Sequence, residues 1–332
     1  MHETSQNELS SVPLLEVRGL AKLYAQGKGV SDVSLSVAAG SVTGFIGVNG
    51  AGKSTTLKCI LGLAQPDAGS IEIFGAPADF NARARIGFLP EERGIAPRER
   101  ARDVIAFYAQ LKGLARTEGY RRADELLERV GLADRKRARI GELSKGNAQR
   151  VQLLCALAHK PELLILDEPF TGLDPISQAE VQGLFAEHRA GGGALLFSTH
   201  SMSVAERLCD EVVILAGGRT VFQGPVAAAV DQAASGAYVT CPPEAPIPMI
   251  AAQLGGRAEP MGAQIGEAVR WRVTLPRDVS HVALTRAMAE HEVALFGFEP
   301  IKADLEGAFW SLAGLKHGPG DTLKDDLAKE AA

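Results

Sequence analysis

Apolar positions along this chain follow two periods, and the order in which those periods alternate outlines the architecture. Leu14–Arg18 and Val33–Val37 alternate apolar with polar residues, Val42–Ile46 is mostly apolar between glycines, and Ser70–Phe74 and Arg85–Leu89 continue the series; all are predicted strands. Leu163–Leu166 and Ala194–Phe197 are apolar throughout, as strands buried on both faces of a sheet are. Val212–Leu215 and Arg219–Gln223, with Gly217-Gly218 between them, predict a closing hairpin. Lys53–Leu63 is helical in pattern and stops before Pro66. Helical spacing returns at Val104, Phe107, Tyr108 and Leu111, and again at Leu126, Leu127 and Val130, with Phe107 and Tyr108 expected in the helix core. Beyond Gly224 the pattern is that of a smaller α+β unit. Strands are predicted near Tyr238–Cys241, Val269–Leu275 and Val293–Phe298, and helices near Val282–Glu290 and Leu305–Leu312. Pro-rich Cys241–Pro248 reads as a loop, and Trp271 and Trp310 as core.

The alternation of strands and helices predicts an α/β core over 12–226 with a helical subdomain at about 92–160. A small α+β domain is predicted at 235–314, with polar tails at 1–11 and 316–332. The length of 332 residues agrees with about two domains at roughly 100–200 residues each. Charge changes the picture in one place. The chain carries a net charge of -5, yet Pro97–Arg139 has 12 Lys and Arg against 7 Asp and Glu, so the helical stretch is basic and the remainder acidic. The overall pI near 5.9 argues against bare nucleic acid as the main partner, and an aromatic content of 5% gives no base-stacking platform. No apolar run approaches the ~18–20 residues that span a bilayer, and Met1–Ser11 lacks a signal-peptide pattern. Cys59, Cys155, Cys209 and Cys241 are too widely spaced for a metal or disulfide pattern and read as buried cytosolic thiols. His159, His188, His281, His291 and His317 lack metal-ligand spacing and are expected on the surface or in the core.

Chemistry concentrates at two points. Gly47-Val48-Asn49-Gly50-Ala51-Gly52-Lys53-Ser54 fits G-x-x-x-x-G-K-[ST] between an apolar strand and a helix. Glycines there let backbone N–H groups approach phosphate oxygens, and the helix N-terminus adds partial positive charge. Lys53 can reach the β- and γ-phosphates, and the Ser54 hydroxyl can ligate Mg²⁺. The second point is Leu163-Leu164-Ile165-Leu166-Asp167-Glu168-Pro169, an apolar strand ending in two acids. Ligands of doubly wound sheets bind at the carboxyl ends of strands, so Asp167 is placed to hold Mg²⁺ and Glu168 to polarise an attacking water.

A third segment, Leu143-Ser144-Lys145-Gly146-Asn147-Ala148-Gln149-Arg150, precedes the acids by some twenty residues and opens an apolar helix, Val151–Leu157. Together these resemble the phosphate loop, acidic strand end and Leu-Ser-Gly-Gly-Gln signature of ATP-binding cassette (ABC) ATPases, P-loop NTPases with a helical subdomain. Further landmarks follow in order over Leu14 to Gly224. Tyr24 stands where an aromatic stacks on adenine, and Gly87-Phe88-Leu89-Pro90-Glu91 matches the glutamine-loop region. Gly172-Leu173-Asp174-Pro175 matches the D-loop, and Ser198-Thr199-His200 the switch histidine.

The resemblance implies that ATP with Mg²⁺ binds through Tyr24, residues 47–53, Ser54, Thr55 and Glu91, with Ser54, Asp167 and Glu91 at the metal. Lys53, Glu168 and His200 would serve catalysis, with Glu168 as general base. Two cassettes would pair head to tail, Ser144 and Gly146 of one contacting the γ-phosphate held by the other, and Asp174 linking the two sites. It further implies a separate transmembrane permease, a peripheral position on the inner face of the cell membrane, and no nucleic-acid partner. Glu91 departs from the usual Gln, Lys145 from the first signature Gly, and Asn147 from the signature Gln. The Leu-Ser-Lys-Gly-Asn and Leu-Pro-Glu-Glu-Arg-Gly forms, and Ala303–Phe309, resemble an exporter-type bacterial subgroup with a small C-terminal domain. A soluble ABC ATPase acting on ribosomes or DNA, and a cassette that binds ATP with little turnover, stay open as alternatives.

Overall fold

Residues that the apolar runs mark as strands form one ten-stranded sheet in the first of two structural units. The computed structural model describes residues 12–313 apart from 93, 234, 262–267, 277 and 302, so both expected tails lie outside the described residues. One unit reaches to Gly224 and the other begins at Pro225. The strands of the first are β1 (Leu15–Leu23), β2 (Gly29–Val37), β3 (Val42–Ile46), β4 (Ala68–Ile73), β5 (Ala76–Pro77), β6 (Ile86–Leu89), β7 (Leu163–Asp167), β8 (Ala194–Thr199), β9 (Glu211–Ala216) and β10 (Arg219–Pro225). Its helices are α1 (Lys53–Ile60), α2 (Phe80–Ala84), α3 (Ala101–Leu111), α4 (Arg116–Arg129), α5 (Lys145–Leu157), α6 (Pro175–Ala190) and α7 (Met202–Leu208).

Strand order is β5-β4-β1-β2-β10-β9-β3-β8-β7-β6. The β1, β2, β4 and β5 portion is antiparallel, whereas β9, β3, β8, β7 and β6 run parallel. Every residue of β3, β7 and β8 is buried, because helices cover both faces of a parallel sheet. Successive strand residues point to opposite faces, and the core divides accordingly. Leu164, Leu166, Leu195 and Phe197 pack with α3 to α6, and Leu163, Ile165, Ala194 and Leu196 pack with α1, β1 and β2. The β9–β10 turn has φ +55° at Gly217 and +73° at Gly218, the left-handed pair that a two-residue hairpin needs. Register fixes the working edge: Leu89 lies beside Leu166, Asp167 beside Ser198, and Ile46 beside Thr199. The carboxyl ends of β6, β7, β8 and β3 are therefore level.

The helical insertion is α3, α4 and α5. Leu126, Leu127 and Val130 are buried as their spacing predicts. Phe107 corrects the reading: it is 57% exposed, because the buried face of α3 is Ala101, Val104, Ile105, Ala106 and Ala109. Tyr108 packs against the core edge.

The second unit runs α8 (Val226–Val230), β11 (Ser235–Cys241), α9 (Ile247–Gln253), β12 (Arg257–Pro260), β13 (Val269–Leu275), α10 (His281–Glu290), β14 (Gly297–Pro300) and α11 (Leu305–Ala313). From β11 to β14 this is a βαββαβ chain in an antiparallel sheet ordered β12-β13-β11-β14, the split βαβ arrangement of ferredoxin-like folds. Ile247, Ile250, Leu284 and Met288 of α9 and α10 cover Ala237, Val239, Cys241 and Val273 on one face. Trp310 is buried and Trp271 packs at the cluster's edge. Two expectations shift here. The strand expected at Val293–Phe298 is Gly297–Pro300, because Val293 still caps α10: its N–H donates to the Met288 carbonyl, and Glu292 takes φ +52°. The loop expected through Pro248 ends at Pro246, since α9 begins at Ile247 and proline is tolerated in a first helical turn.

His159, just past α5, sits beside Lys112, whose ammonium donates to the Arg83 and Ile86 carbonyls. Burial first, and the Lys112 charge second, push the imidazole from its usual 6.5 down to about 4. The folded protein then binds fewer protons than the unfolded chain between those values, so this contribution is intact above pH 6.5 and is lost as pH falls toward 4. A His159→Gln variant is expected to lose less of its urea midpoint than the parent between pH 7.5 and pH 4.5. Equal losses would rule out His159 as the source.

Candidate functional site at the strand ends

The loop after β3 must turn into α1 within six residues, and two glycines make the turn possible. Gly50 has φ +82° and Gly52, which caps α1, has φ +105°. A Cβ at Gly52 would stand 2.2 Å from Val30 Cγ1, and one at Gly47 would stand 2.7 Å from the Leu215 carbonyl oxygen. The loop is thus packed closely against Val30 of β2 and Leu215 of β9. Asn49 and Gly50 are exposed, Val48, Ser54 and Thr55 half-buried, and Ala51 buried. Thr56 Oγ1 donates to the Gly52 carbonyl and holds the first turn of α1.

Lys53 is only 7% exposed. Its ammonium donates to the carbonyls of Gly47 at 2.6 Å and Val48 at 3.3 Å. Burial lowers its pKa; the carboxylates of Glu168, Asp167 and Glu91, in that order, oppose the shift. Three acids that follow two strand ends therefore act by charge on one ammonium.

Asp167 closes β7 and is buried, accepting a hydrogen bond from Ser198 Oγ. Glu168 follows with φ +51°, a left-handed turn that costs a non-glycine residue about 1–2 kcal/mol. That turn brings its carboxylate to β8: Oε1 accepts from the His200 backbone N–H at 3.0 Å and lies 2.7 Å from His200 Nδ1, and Oε2 accepts from Thr171 Oγ1 at 3.4 Å. Glu91, exposed two residues past β6, is held by its loop: buried Gln152 of α5 donates to the carbonyls of Pro90 and Glu92 at 3.4 and 3.2 Å.

Ser54 Oγ and the carboxylates of Asp167 and Glu91 are hard oxygen donors, the set that suits Mg²⁺ with phosphate oxygens and water completing its shell. The acids outnumber the ammonium, which favours a divalent cation here. Lys53, Asp167, Glu168, Glu91 and His200 are thus brought together. Tyr24 is placed at the edge of this region, after β1. It is 44% exposed, its N–H donates to the Lys28 carbonyl, and the turn feeds Gly29, whose carbonyl faces Gly52.

Ser144, Gly146 and Asp174 form a second group at the starts of α5 and α6. Ser144 caps α5 by accepting from the Asn147 N–H, and it is exposed. A Cβ at Gly146 would stand 3.3 Å from the Gly172 carbonyl oxygen. Asp174 caps α6 by accepting from the N–H groups of Ile176 and Ser177 and from Ser177 Oγ; these bonds hold its carboxyl below the usual range. Among the described residues no hydrogen bond or ion pair joins these three to the Lys53 cluster. Thr171 and Gln152 are functional candidates that the motifs do not include, and Ser198, quoted only as the flank of the switch histidine, is another. The signal for Ser198 is its place at the end of an apolar strand, two residues before His200; its register with Asp167 is visible only in the fold.

The profile of the family described as ABC transporter matches residues 30–171. An uncharacterized ABC transporter ATP-binding protein, YhaQ of Bacillus subtilis, is 39% identical over 211 residues, covering 64% of this chain and 71% of that protein. This chain belongs to the ABC transporter ATP-binding proteins. The Nod factor export ATP-binding protein I of Burkholderia orbicola is 37% identical over 64% of this chain and 71% of its own length. A solved structure described as the ATP-binding subunit of an ABC transporter is 36% identical, with a TM-score of 0.62, over 66% of this chain and 92% of that one. As an ABC transporter ATP-binding protein the chain has an α/β P-loop NTPase fold, and its family binds ATP and generally hydrolyses it. No helix among its described residues is long and apolar enough to cross a membrane.

The geometry at Gly52 gives a direct check. Gly52→Ala, strained by φ +105° and by Val30, is expected to weaken ATP binding roughly tenfold or more with little change in far-ultraviolet circular dichroism. Unchanged affinity for a fluorescent ATP analogue would show that the loop is not the phosphate cradle.

Proposed function

We propose that this chain hydrolyses ATP as the nucleotide-binding subunit of an exporter, with Glu168 as general base, and that it drives a separate transmembrane permease through ATP-dependent closure of a cassette dimer. The observation that carries the reading is the contact of the Glu168 carboxylate with His200 at 2.7 Å, at the level of buried Lys53. A carboxylate fixed at two oxygens can orient a water for in-line attack and accept its proton. His200, bonded to that carboxylate, positions the γ-phosphate from the β8 side. Lys53 and the loop N–H groups draw charge off the phosphates. Mg²⁺, when bound by Ser54 and Asp167, supplies neutralisation of the phosphate oxygens.

Among the described residues no hydrogen bond or ion pair joins Ser144 or Gly146 to the Lys53 cluster, which is compatible with a dimer that supplies them from a second copy. The 13-residue helix α5 presents its N-terminus at an exposed surface, an anion site by its backbone N–H groups, and a second copy would bring that site to the phosphates. We place Tyr24 beside the nucleotide held by its own chain, and Asp174 as the link between the two sites of the dimer. The second unit is proposed as an accessory domain. Export rather than import is supported by the name of the Burkholderia relative.

A groove supports the permease contact. Its volume is about 300 Å³, and Leu61, Leu63, Phe88, Ile95, Tyr108 and Gln152 contribute to its walls. Leu63 is 67% exposed, and on α3, whose Tyr108 lines the groove, Phe107 and Leu111 are 57% and 66% exposed. Such apolar exposure next to the basic helical stretch is the chemistry of a protein-docking face.

Two experiments test the reading. Glu168→Gln is expected to bind ATP, run as a dimer on light-scattering chromatography, and lose turnover by about 10²–10⁴-fold; unchanged turnover overturns the role of Glu168. Used as bait from detergent-solubilised membranes, that variant is expected to recover a polytopic membrane protein, and adding Leu63→Asp and Leu111→Asp to abolish the recovery. Recovery of ribosomes instead would move the protein to the soluble class.

A further inference from the structure

The Ser198 hydroxyl is fully buried and makes two bonds of opposite sense. Its Oγ–H donates to Asp167 Oδ1, and its oxygen accepts the Glu168 backbone N–H at 3.2 Å. The same N–H also donates to the Ser198 carbonyl at 3.2 Å. A serine carries one hydroxyl proton, and here it goes to the carboxylate, so the lone pair facing Glu168 has a defined role. The first bond fixes the rotation of the Asp167 carboxylate. The second holds the peptide that enters the left-handed turn at Glu168, φ +51°, and that turn delivers the Glu168 carboxylate to His200.

We propose that Ser198 is a positioning residue that sets the metal-side carboxylate of Asp167 and the water-side carboxylate of Glu168 in one register. The inference rests on the reading in which Asp167 serves Mg²⁺ and Glu168 serves the attacking water. Ser198 touches neither nucleotide nor metal in this scheme; it acts through its two neighbours. An alanine there leaves the β7–β8 backbone pairing of Asp167 with Ser198 in place while removing both side-chain bonds. A threonine keeps the hydroxyl.

The test is nucleotide binding with and without Mg²⁺, followed with a fluorescent ATP analogue, alongside steady-state turnover. For Ser198→Ala, affinity in EDTA is expected to stay within about twofold of the parent, because the phosphate loop is untouched. The gain in affinity on adding Mg²⁺ is expected to shrink about tenfold, and kcat to fall tenfold to a hundredfold, the scale of a lost hydrogen bond to a charged group. Ser198→Thr is expected to hold both quantities within about threefold. An unchanged Mg²⁺ response in the alanine variant overturns the inference. So does an equal loss of affinity with and without Mg²⁺, which would mark Ser198 as a packing residue. Asp167→Asn separates the two levels of argument: if it leaves the Mg²⁺ response intact, the metal reading of Asp167 fails, and if it abolishes the response while Ser198→Ala does not, only the role of Ser198 fails.

Discussion

The buried charge of Lys53 is the constraint to which the first unit answers. An ammonium removed from water is costly unless hydrogen bonds and opposite charge surround it. The loop gives it the carbonyls of Gly47 and Val48, and Asp167, Glu168 and Glu91 oppose the loss of its proton. Those acids come from the ends of β6 and β7, and Lys53 opens α1 after β3, which lies two strands from β7 and three from β6. Only parallel strands in level register bring such ends to one edge. The unbroken burial of β3, β7 and β8 therefore bears on chemistry as well as stability: a one-residue slip would turn each strand's set of side chains to the other face and separate Asp167 from Ser198.

The helical insertion is tied to that edge by polar bonds that are themselves largely buried. Arg150 of α5 donates to the Val130 carbonyl after α4, to Glu180 of α6 and to Asn147 in its own helix. Its side chain is 11% exposed, so breaking one of these partners away would leave a guanidinium poorly solvated. The start of α5 thus travels with α6 and with Asp174, the residue that caps α6. Gln152, two residues on, reaches the loop that carries Glu91. A displacement of that loop is felt by α5 through this amide. The groove flanked by Leu63 and Tyr108 includes Gln152 in its wall, so a partner seated there would press on the same connection.

What the sequence makes legible follows from how local each feature is. The phosphate loop is read whole because its geometry is set by six consecutive residues and two obligatory glycines. The apolar runs at Val42–Ile46 and Leu163–Leu166 name β3 and β7 nearly residue for residue, since burial on both faces keeps them apolar except at Thr43 and at the Asp167 that ends β7. Helix α6 is less visible: its apolar residues Val181, Leu184 and Phe185 occupy one side of a mostly polar stretch, although Asp174-Pro175 is a strong start signal. Phe107 misleads because an aromatic at helical spacing looks like core, and only the tertiary position of α3 shows that alanines fill the buried face. Val293 misleads because a β-branched residue was available to a helix cap. Gln152 lies outside every motif, and Ser198 stands in one only as the flank of His200; their bonds are not legible because their partners are, respectively, 60 or more and 30 residues away in sequence.

Glu91 is where this chain departs most from the pattern it otherwise follows, and the electrostatics say what the departure does. A glutamine at that position would offer the same carbonyl oxygen to a metal without charge. The carboxylate instead adds a third acid around Lys53, which steadies the ammonium but raises the negative potential that an incoming polyphosphate must meet. Without a divalent cation the two effects oppose each other at the phosphates. With one, the acid becomes a ligand candidate and the repulsion is offset at its source. On the proposed assignment of Ser54, Asp167 and Glu91, the departure therefore makes the metal a stricter condition for nucleotide binding. It also makes the exposed 91 loop, held by Gln152, the element whose position decides whether that third charge is near the site or away from it.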